Sequence, residues 1–537
     1  MTYDYIIVGA GSAGSILADR LSESGRHSVL VLEAGGKNRA LAIKMPGAAA
    51  TLYRHPAHNW MFHSAPQPAL GGRELYAPRG KGLGGSGAIN TMIYLRGQPS
   101  DFDDWAAAGN DGWSWHNVLP YFRKLETHPL GNTVYHGGDG PIRISRMRGK
   151  AHPVCDSFLA GCDELGYPRS DDFNGGHVEG AGIYDLSVHR GERCSSAKAS
   201  LRPAMKRNNL RVEVDMTVDR LLFDSERRAT GVRVRRHGMP LDFHARREVI
   251  LCAGAVGSPQ ILELSGIGDV SRLRDLGISP VHHLPSVGEH LQDHLSASYD
   301  YLANIPMAGT GPRSWFGRMM ARLQYALSHT GPLSMSLVQA GGYFRGDDTE
   351  STPNVQVYFS PLAPLVSVGH GGTNAGEPYP GFRLSFNACR PTSRGAVHIV
   401  SGRAEDTPRI DPNYLSTDRD VEEAVQGSRL IRRIAQSRAM RAITAGEIRP
   451  GQQAQSDADL LAYFRETCDS THHLCGTCAM GSDSARSVVD RSLKVHGVPG
   501  LRVVDASIFP NITSGSINAA TMIVAEKGAS LILRDGS

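Results

Sequence analysis

The chain has 537 residues, with 57 Lys and Arg against 53 Asp and Glu and a formal charge of +4. So small and dispersed a surplus, with no basic run, argues against nucleic-acid binding, and 40% apolar with 20% charged residues excludes a disordered chain. The length allows three or four domains, or one continuous core of a large α/β enzyme. Eight scattered cysteines make no disulfide framework. The charge-free stretches 351–376 and 506–525 are broken by Pro, Gly, Asn and Ser, so neither reads as a membrane span. The first strand begins within three residues, which leaves no room for a signal or transit peptide. A cytoplasmic protein is expected, with peripheral contact at the inner face of a membrane left open.

The chain opens on an apolar strand, Tyr3-Asp4-Tyr5-Ile6-Ile7-Val8, followed by Gly9-Ala10-Gly11-Ser12-Ala13-Gly14. A helix is expected over 12–24, with Ala13, Ile16, Leu17 and Leu21 on one face and Gly25 as its C-cap. A second strand, residues 28–32, ends on Glu33, 19 residues past Gly14. Strand, G-x-G-x-x-G loop, helix and distal acid together form an ADP-binding pattern. Gly9 permits the tight turn, Gly11 lets the backbone approach a pyrophosphate, and Gly14 lets helix and strand pack closely. The helix N-terminus offers free N–H groups to phosphates, and Glu33 can accept both hydroxyls of an adenosine ribose.

Residues 37–72 are irregular, with His58-Asn59-Trp60 at their centre. A second glycine-rich segment follows, Pro78-Arg79-Gly80-Lys81-Gly82-Leu83-Gly84-Gly85-Ser86-Gly87-Ala88-Ile89-Asn90. Such a run lets the backbone lie against a flat or charged ligand; a flexible surface loop is the alternative. The segment continues as Thr91-Met92-Ile93-Tyr94-Leu95-Arg96-Gly97, and here the chain resembles the glucose–methanol–choline oxidoreductases, in particular their bacterial choline and alcohol dehydrogenase branch. The resemblance implies an α/β (α+β overall) fold, with FAD on a Rossmann-like domain. Some members tether FAD through a histidine in this segment. The matching position is Ile89, which has no nucleophile, so non-covalent FAD is implied.

Residues 209–224 read as one strand, with Val212, Val214, Val218 and Leu222 among polar residues. The resemblance puts Val218 against adenine, while the residues alone fit a plain core valine. Residues 248–268 run from an apolar strand through Ala253-Gly254 into a helix with Pro259 near its start, matching the family's second signature. Residues 284–294 also match, with His290 where Asn is more usual. From about 296 to 462, Val355, Val357 and Phe359, and likewise Phe382, Leu384, Phe386 and Ala388, alternate with polar residues. They suggest an antiparallel sheet with one wet face. Thr417 with Asp420 reads as a capping box opening a helix with Val421, Ala424, Val425, Ile431 and Ala435. Residues 307–328 read as an exposed helix, a lid being the alternative. The implied domains are FAD-binding at 1–155, 190–298 and 485–537, and substrate-binding at 156–189 and 299–484.

Residues 467–481 hold Cys468, His472, His473, Cys475 and Cys478, a set weighed for zinc. No second well-spaced pair accompanies it, and no metal is expected. The run Gly476-Thr477-Cys478-Ala479-Met480-Gly481 matches the family's His-x-x-Gly-Thr-Cys-x-Met-Gly motif, with His473 at the position of the base. His472 and Leu474 stand where Tyr and Pro are more usual. Near the C-terminus Asp505 and Ala506 match positions at the flavin's ribityl and phosphate end. Asn518 matches the second catalytic position; on its residue type alone it reads as a helix N-cap.

The resemblance thus implies cofactor contacts at Gly9, Gly11, Ser12, Ala13, Gly14, Glu33 and Ala34 in the first loop region. It adds Arg79, Gly82, Gly84, Gly85, Ser86, Asn90, Thr91, Met92 and Ile93 in the second. Val218, Ala253, Gly254, Asp505, Ala506, Asn518 and Ala519 complete them. The implied reaction is alcohol oxidation, with His473 taking the hydroxyl proton, Asn518 bonding the same oxygen, and flavin N5 receiving hydride. A primary aliphatic or aryl alcohol is the expected substrate, a choline-like one staying open. Electrons are expected to pass to a quinone or other carrier; an O2-using oxidase and a flavin-containing lyase are the alternatives. Oligomeric state is not legible.

Overall fold

The computed structural model describes residues 1–236, 238–307, 315–361 and 380–536. Parts of two segments weighed above, 351–376 and 307–328, lie outside the described residues. Two sheets organise the molecule. The first has seven strands in the order Leu210–Glu213, Val29–Leu32, Thr2–Val8, Met239–Leu251, Ala229–Arg236, Thr217–Phe223, with Leu501–Val503 joined to Met239–Leu251. Its central strands are parallel, and Ile6, Ile7, Val31, Ile250 and Val503 are fully buried, as a sheet covered on both faces requires. Helices Ser12–Ser22 and Asn518–Asp535 pack on each other over this sheet. Val8 is in register with both Leu32 and Leu251, and Leu251 with Val503. Four strands therefore end together at one edge, where ligands of open parallel sheets bind.

The expected single strand at 209–224 is two strands. Asp215, at φ +58, and Met216 bend the chain across the sheet end, donating to Gly35 O and Glu33 O. Leu210–Glu213 then runs parallel to Val29–Leu32, whereas Thr217–Phe223 pairs antiparallel with Ala229–Arg236. Apolar spacing carries on through the bend, which hid it. The first helix stops at Ser22, where Gly25, at φ +72, donates back to the Ser22 carbonyl.

The second sheet is antiparallel, in the order Ala340–Phe344, Val355–Ser360, Gly381–Ala388, Leu295–Ala303, Thr444–Arg449, with Asp469–Ser470 joined to Leu295–Ala303. Val355, Val357, Phe359, Phe382, Leu384 and Phe386 form one buried face, against which helix Asp418–Ala435 packs. The expected wet face is polar and only partly wet: Tyr358, Ser360, Arg383 and Ser385 are half-buried, whereas Gln356 and Asn387 are buried. Gln356 is 0% exposed and accepts from Tyr358 Oη at 2.8 Å. Tyr343 clusters with Met92, Ile93 and Leu95, so this face is stacked on the segment that follows the second glycine loop. Strand Leu295–Ala303 belongs throughout to this second sheet.

Thr417 caps helix Asp418–Ala435 by accepting from Asp420 N, but the capping box is incomplete. The Asp420 carboxylate instead accepts from Thr392 N and Ser393 N, tying the loop after the sheet to the helix. Residues Trp315–Ser328 form a helix with Met319, Met320, Leu323 and Leu327 exposed and Tyr325 buried. Among the described residues no helix is long and apolar enough to cross a membrane.

Candidate active site

The four strand ends open into a cavity of about 480 Å³, a size typical of small-molecule and cofactor sites. The two glycine loops meet at its floor. Gly84 N donates to Ala10 O, and a Cβ on Gly85 would lie 2.8 Å from Gly11 Cα, so only glycine permits the approach. Glu33 clasps the loops from below. Its Oε2 accepts from Ala10 N at 2.9 Å, and its Oε1 from Gly35 N and Gly82 N at 2.8 and 2.9 Å. The expected ribose acceptor therefore lines the cavity and also holds three loop amides.

Helix Ser12–Ser22 begins at this floor with no side-chain cap and no acid in its first turn. Helix Asn518–Asp535 begins there in the same state. Both present partial positive charge and free N–H groups to the cavity. A third helix, Gly254–Leu264, also starts there, and Asp505 satisfies it by accepting from Gly254 N and Ser258 Oγ at 2.8 and 2.6 Å.

At the other end of the cavity lies His473. Asp293 Oδ1 accepts its backbone N–H at 2.6 Å, and its ring Nδ1 lies 2.9 Å from both His294 Nδ1 and Thr471 Oγ1. Asn518 is not the helix cap; that place falls to Ile517. Instead Asn518 Oδ1 accepts from Ser12 Oγ at 2.7 Å, leaving its amide N–H groups as donors. His472 lies beside His473 with φ +69, its ring edge-on to Tyr53, and its carbonyl accepting from Arg79. His290 also has positive φ, +64, a conformation that Asn adopts readily and that accounts for the more usual residue there.

Burial holds His473 well below the ordinary imidazole range, reinforced by His294, His472 and Arg79. Burial likewise lowers His294 to about 4 and, with Arg79, His472 to about 3. The sign follows directly: His473 is neutral at pH 7 and loses its basic lone pair only as pH falls through its lowered pKa. An unperturbed histidine base at about 6.5 would lose about 30-fold in rate by pH 5. If His473 is the base of the alcohol oxidation that the sequence resemblance implies, the rate of anaerobic flavin reduction at saturating alcohol is expected to change less than about three-fold from pH 8 to pH 5. A decline centred near 6.5 in stopped-flow traces would contradict the burial argument.

Of the residues expected at the cofactor, Gly9, Gly11, Ser12, Ala13, Glu33, Ala34, Arg79, Gly85, Ser86, Asn90, Thr91, Met92, Ile93, Val218, Ala253, Gly254, Asp505, Ala506 and Asn518 line the cavity. Gly14, Gly82, Gly84 and Ala519 do not. Gly14 lies under the loop, where a Cβ would come 1.9 Å from Gly9 O. Gly82 and Gly84 spend their amides on Glu33 and Ala10, and Ala519 is buried behind the helix start. Sequence reasoning missed Tyr53, Trp60, Phe62, Gln260 and 404–408 in the lining, because no motif marks them. It also missed Arg193, buried and donating through Nη1 to both Asn90 O and Asn90 Oδ1 at 2.6 Å. Cys468, Cys475 and Cys478 are buried and burial raises their thiols, Cys468 to about 12.

The family model for GMC oxidoreductases matches residues 3–296, and a second model of the same description matches 391–525. The chain is a GMC oxidoreductase. It is 40% identical to "Choline dehydrogenase, mitochondrial" of Mus musculus over 99% of this chain and 89% of that one. It is also 40% identical to "Oxygen-dependent choline dehydrogenase" of Vibrio vulnificus, covering 99% and 94%. Among solved structures, pyridoxine 4-oxidase from Mesorbium loti matches with TM-score 0.89 at 32% identity, covering 98% of each chain. A formate oxidase matches with TM-score 0.92 at 26% identity over 99% and 98%.

This GMC oxidoreductase is an FAD enzyme acting on CH–OH donors, and its residues fit that cofactor. A Cβ at Gly254 would meet nothing within 4 Å, and one at Gly11 only Gly85 Cα at 4.0 Å, so both backbones face open space a ligand can enter. Two uncapped helix N-termini offer an anion site, as a diphosphate requires. Ile89 lines the cavity and carries no nucleophile.

Proposed function

We propose that the protein oxidises a primary aliphatic or aryl alcohol to the carbonyl compound, with His473 as base and Asn518 as partner at the same oxygen. The observation that carries this reading is complementarity within one cavity. His473 is a neutral base whose Nε2 is free of the bonds made by Nδ1, and Asn518 is a donor whose oxygen Ser12 already occupies. A substrate hydroxyl can donate to the first while accepting from the second. Bound FAD supplies the acceptor for the hydride. Asn518 steadies the oxygen as His473 removes its proton, and the uncapped start of helix Asn518–Asp535 favours negative charge nearby. The segments proposed for the cofactor domain are 1–155, 190–298 and 485–537, with 156–189 and 299–484 forming the substrate domain, except that strand Leu295–Ala303 goes whole with the second sheet.

An uncharged substrate is favoured over a quaternary ammonium. Among the described residues, the carboxylates lining the cavity are already engaged. Glu33 and Asp505 hold backbone amides, Glu405 accepts from Arg235, and Asp406 from Ser401 and Arg403. Tyr53, Trp60 and Phe62 supply an aromatic lining suited to an aryl ring. Electrons are proposed to pass to a quinone or other carrier, in keeping with the mouse relative named a dehydrogenase without mention of oxygen. O2 is the second reading, favoured by the relatives named oxygen-dependent or oxidase. Anaerobic bleaching of the flavin by a panel of benzylic alcohols, primary alkanols and choline tests the substrate class. The benzylic and primary members are expected to bleach it fastest; bleaching by choline alone would overturn the preference. Conversion without bleaching would indicate a lyase. Peroxide yield against quinone turnover then separates the acceptors.

A further inference from the structure

His473 is gripped by two consecutive residues of another segment. Asp293 takes its backbone N–H, and His294 meets its ring. The polarity of that ring contact is fixed from behind. His294 Nε2 lies 2.9 Å from Cys389 O, a carbonyl that can only accept, so Nε2 carries the proton. Burial keeps His294 neutral, and its Nδ1 is then a lone pair. The proton in the 2.9 Å contact between the two Nδ1 atoms must therefore belong to His473.

A second contact can accept the same proton. Thr471 Oγ1 lies 3.2 Å from His294 O, to which it can give its one proton, and it then presents a lone pair towards His473 Nδ1, 2.9 Å away. With the proton on His473 Nδ1, His294 and Thr471 can both accept it while Thr471 keeps its own bond to His294 O. The opposite tautomer of His473 would set its Nδ1 lone pair against that of His294 at 2.9 Å, and could be met by Thr471 only if its hydroxyl turned away from His294 O.

We propose that His294 and Thr471 are positioning residues that hold the proton of His473 on Nδ1, so that Nε2 meets the substrate hydroxyl as an acceptor. This rests on the reading of His473 as the base. The pair does for tautomer what a buried carboxylate does in a Ser-His-Asp triad, but without a negative charge that would raise the pKa of the base. The neutral support is consistent with the lowered pKa of His473, since a carboxylate in place of His294 would favour imidazolium.

The test uses the FAD-loaded holoenzyme labelled with 15N-histidine, His473 being assigned by difference from His473→Asn. The wild-type spectrum is expected to show a protonated, pyrrole-like Nδ1 and an unprotonated, pyridine-like Nε2. In the double variant His294→Leu/Thr471→Val, Nδ1–H has no acceptor. The proton is expected to move to Nε2, and flavin reduction to slow about ten- to hundred-fold. His294→Asn places an amide oxygen near the former Nδ1, and is expected to stay within about five-fold of wild type when Thr471 is kept. FAD content and melting temperature of each variant show whether it has folded; should the double variant fail, His294→Met/Thr471→Val removes the same two acceptors and carries the comparison. A wild-type His473 protonated on Nε2 overturns the proposal, as does a folded double variant that reduces flavin at the wild-type rate. An Nδ1–H tautomer with normal flavin reduction by His473→Ala would instead leave the lock standing and remove His473 as the base.

Discussion

Replacing His473 with Ala is expected to leave a yellow protein whose flavin is reduced about 10²–10⁴-fold more slowly by the preferred alcohol. FAD should be retained, because the cofactor end of the cavity is built by the glycine loops, Glu33 and Asp505 rather than by His473. The loss would reflect removal of the proposed base, whose Nδ1 lies 2.9 Å from His294 and Thr471. His472→Ala is the control for the neighbouring imidazole. It should cost less, since the hydrogen bonds of His472 are made by its backbone, the N–H donating to Ser470 Oγ and the carbonyl accepting from Arg79. Anaerobic stopped-flow reduction decides between them. An unchanged rate in His473→Ala sinks the proposed role.

The second large effect is expected at Glu33. Glu33→Ala leaves the amides of Ala10, Gly35 and Gly82 without their acceptor in a buried place, at about 1–3 kcal/mol each. Several kcal/mol is a large share of the about 5–15 kcal/mol that holds a domain folded. The variant is expected to purify without FAD and to unfold at lower denaturant concentration. Glu33→Gln keeps one acceptor oxygen but turns an NH2 group toward a donor, so it should fall between the two. The FAD-to-protein absorbance ratio and the denaturation midpoint provide the measurement. Full occupancy and an unshifted midpoint in Glu33→Ala would show that the clasp matters little.

Much of the cofactor floor was legible because it depends on short-range rules. A turn that needs Gly9, a close approach that needs Gly14, and an acid at the end of the next strand must all fall at set spacings, and the sequence displays them. Val218 was harder: a buried valine in a strand looks the same whether its neighbour is another side chain or a ligand, and only the bend at Asp215 brings it to the cavity. The polar face of the second sheet was legible only in part for a related reason. Alternation reveals which side chains share a face, not what lies against it, and Gln356 is dry because Met92, Ile93 and Leu95 follow the distant glycine loop into that layer.

The sequence by itself determined the family, the FAD-binding pattern and the two residues proposed for the alcohol oxygen, since each is written in contiguous motifs. Tertiary structure alone decided how those residues are poised. Ser12 meets Asn518 across 506 positions, and His294 meets His473 across 179. Glu33, expected at the ribose, also becomes the clasp between two loops only once Gly82 arrives beside it. Hydrogen-bond polarity depends on which partner has already given its proton away, and that is a property of the folded network rather than of any residue within it.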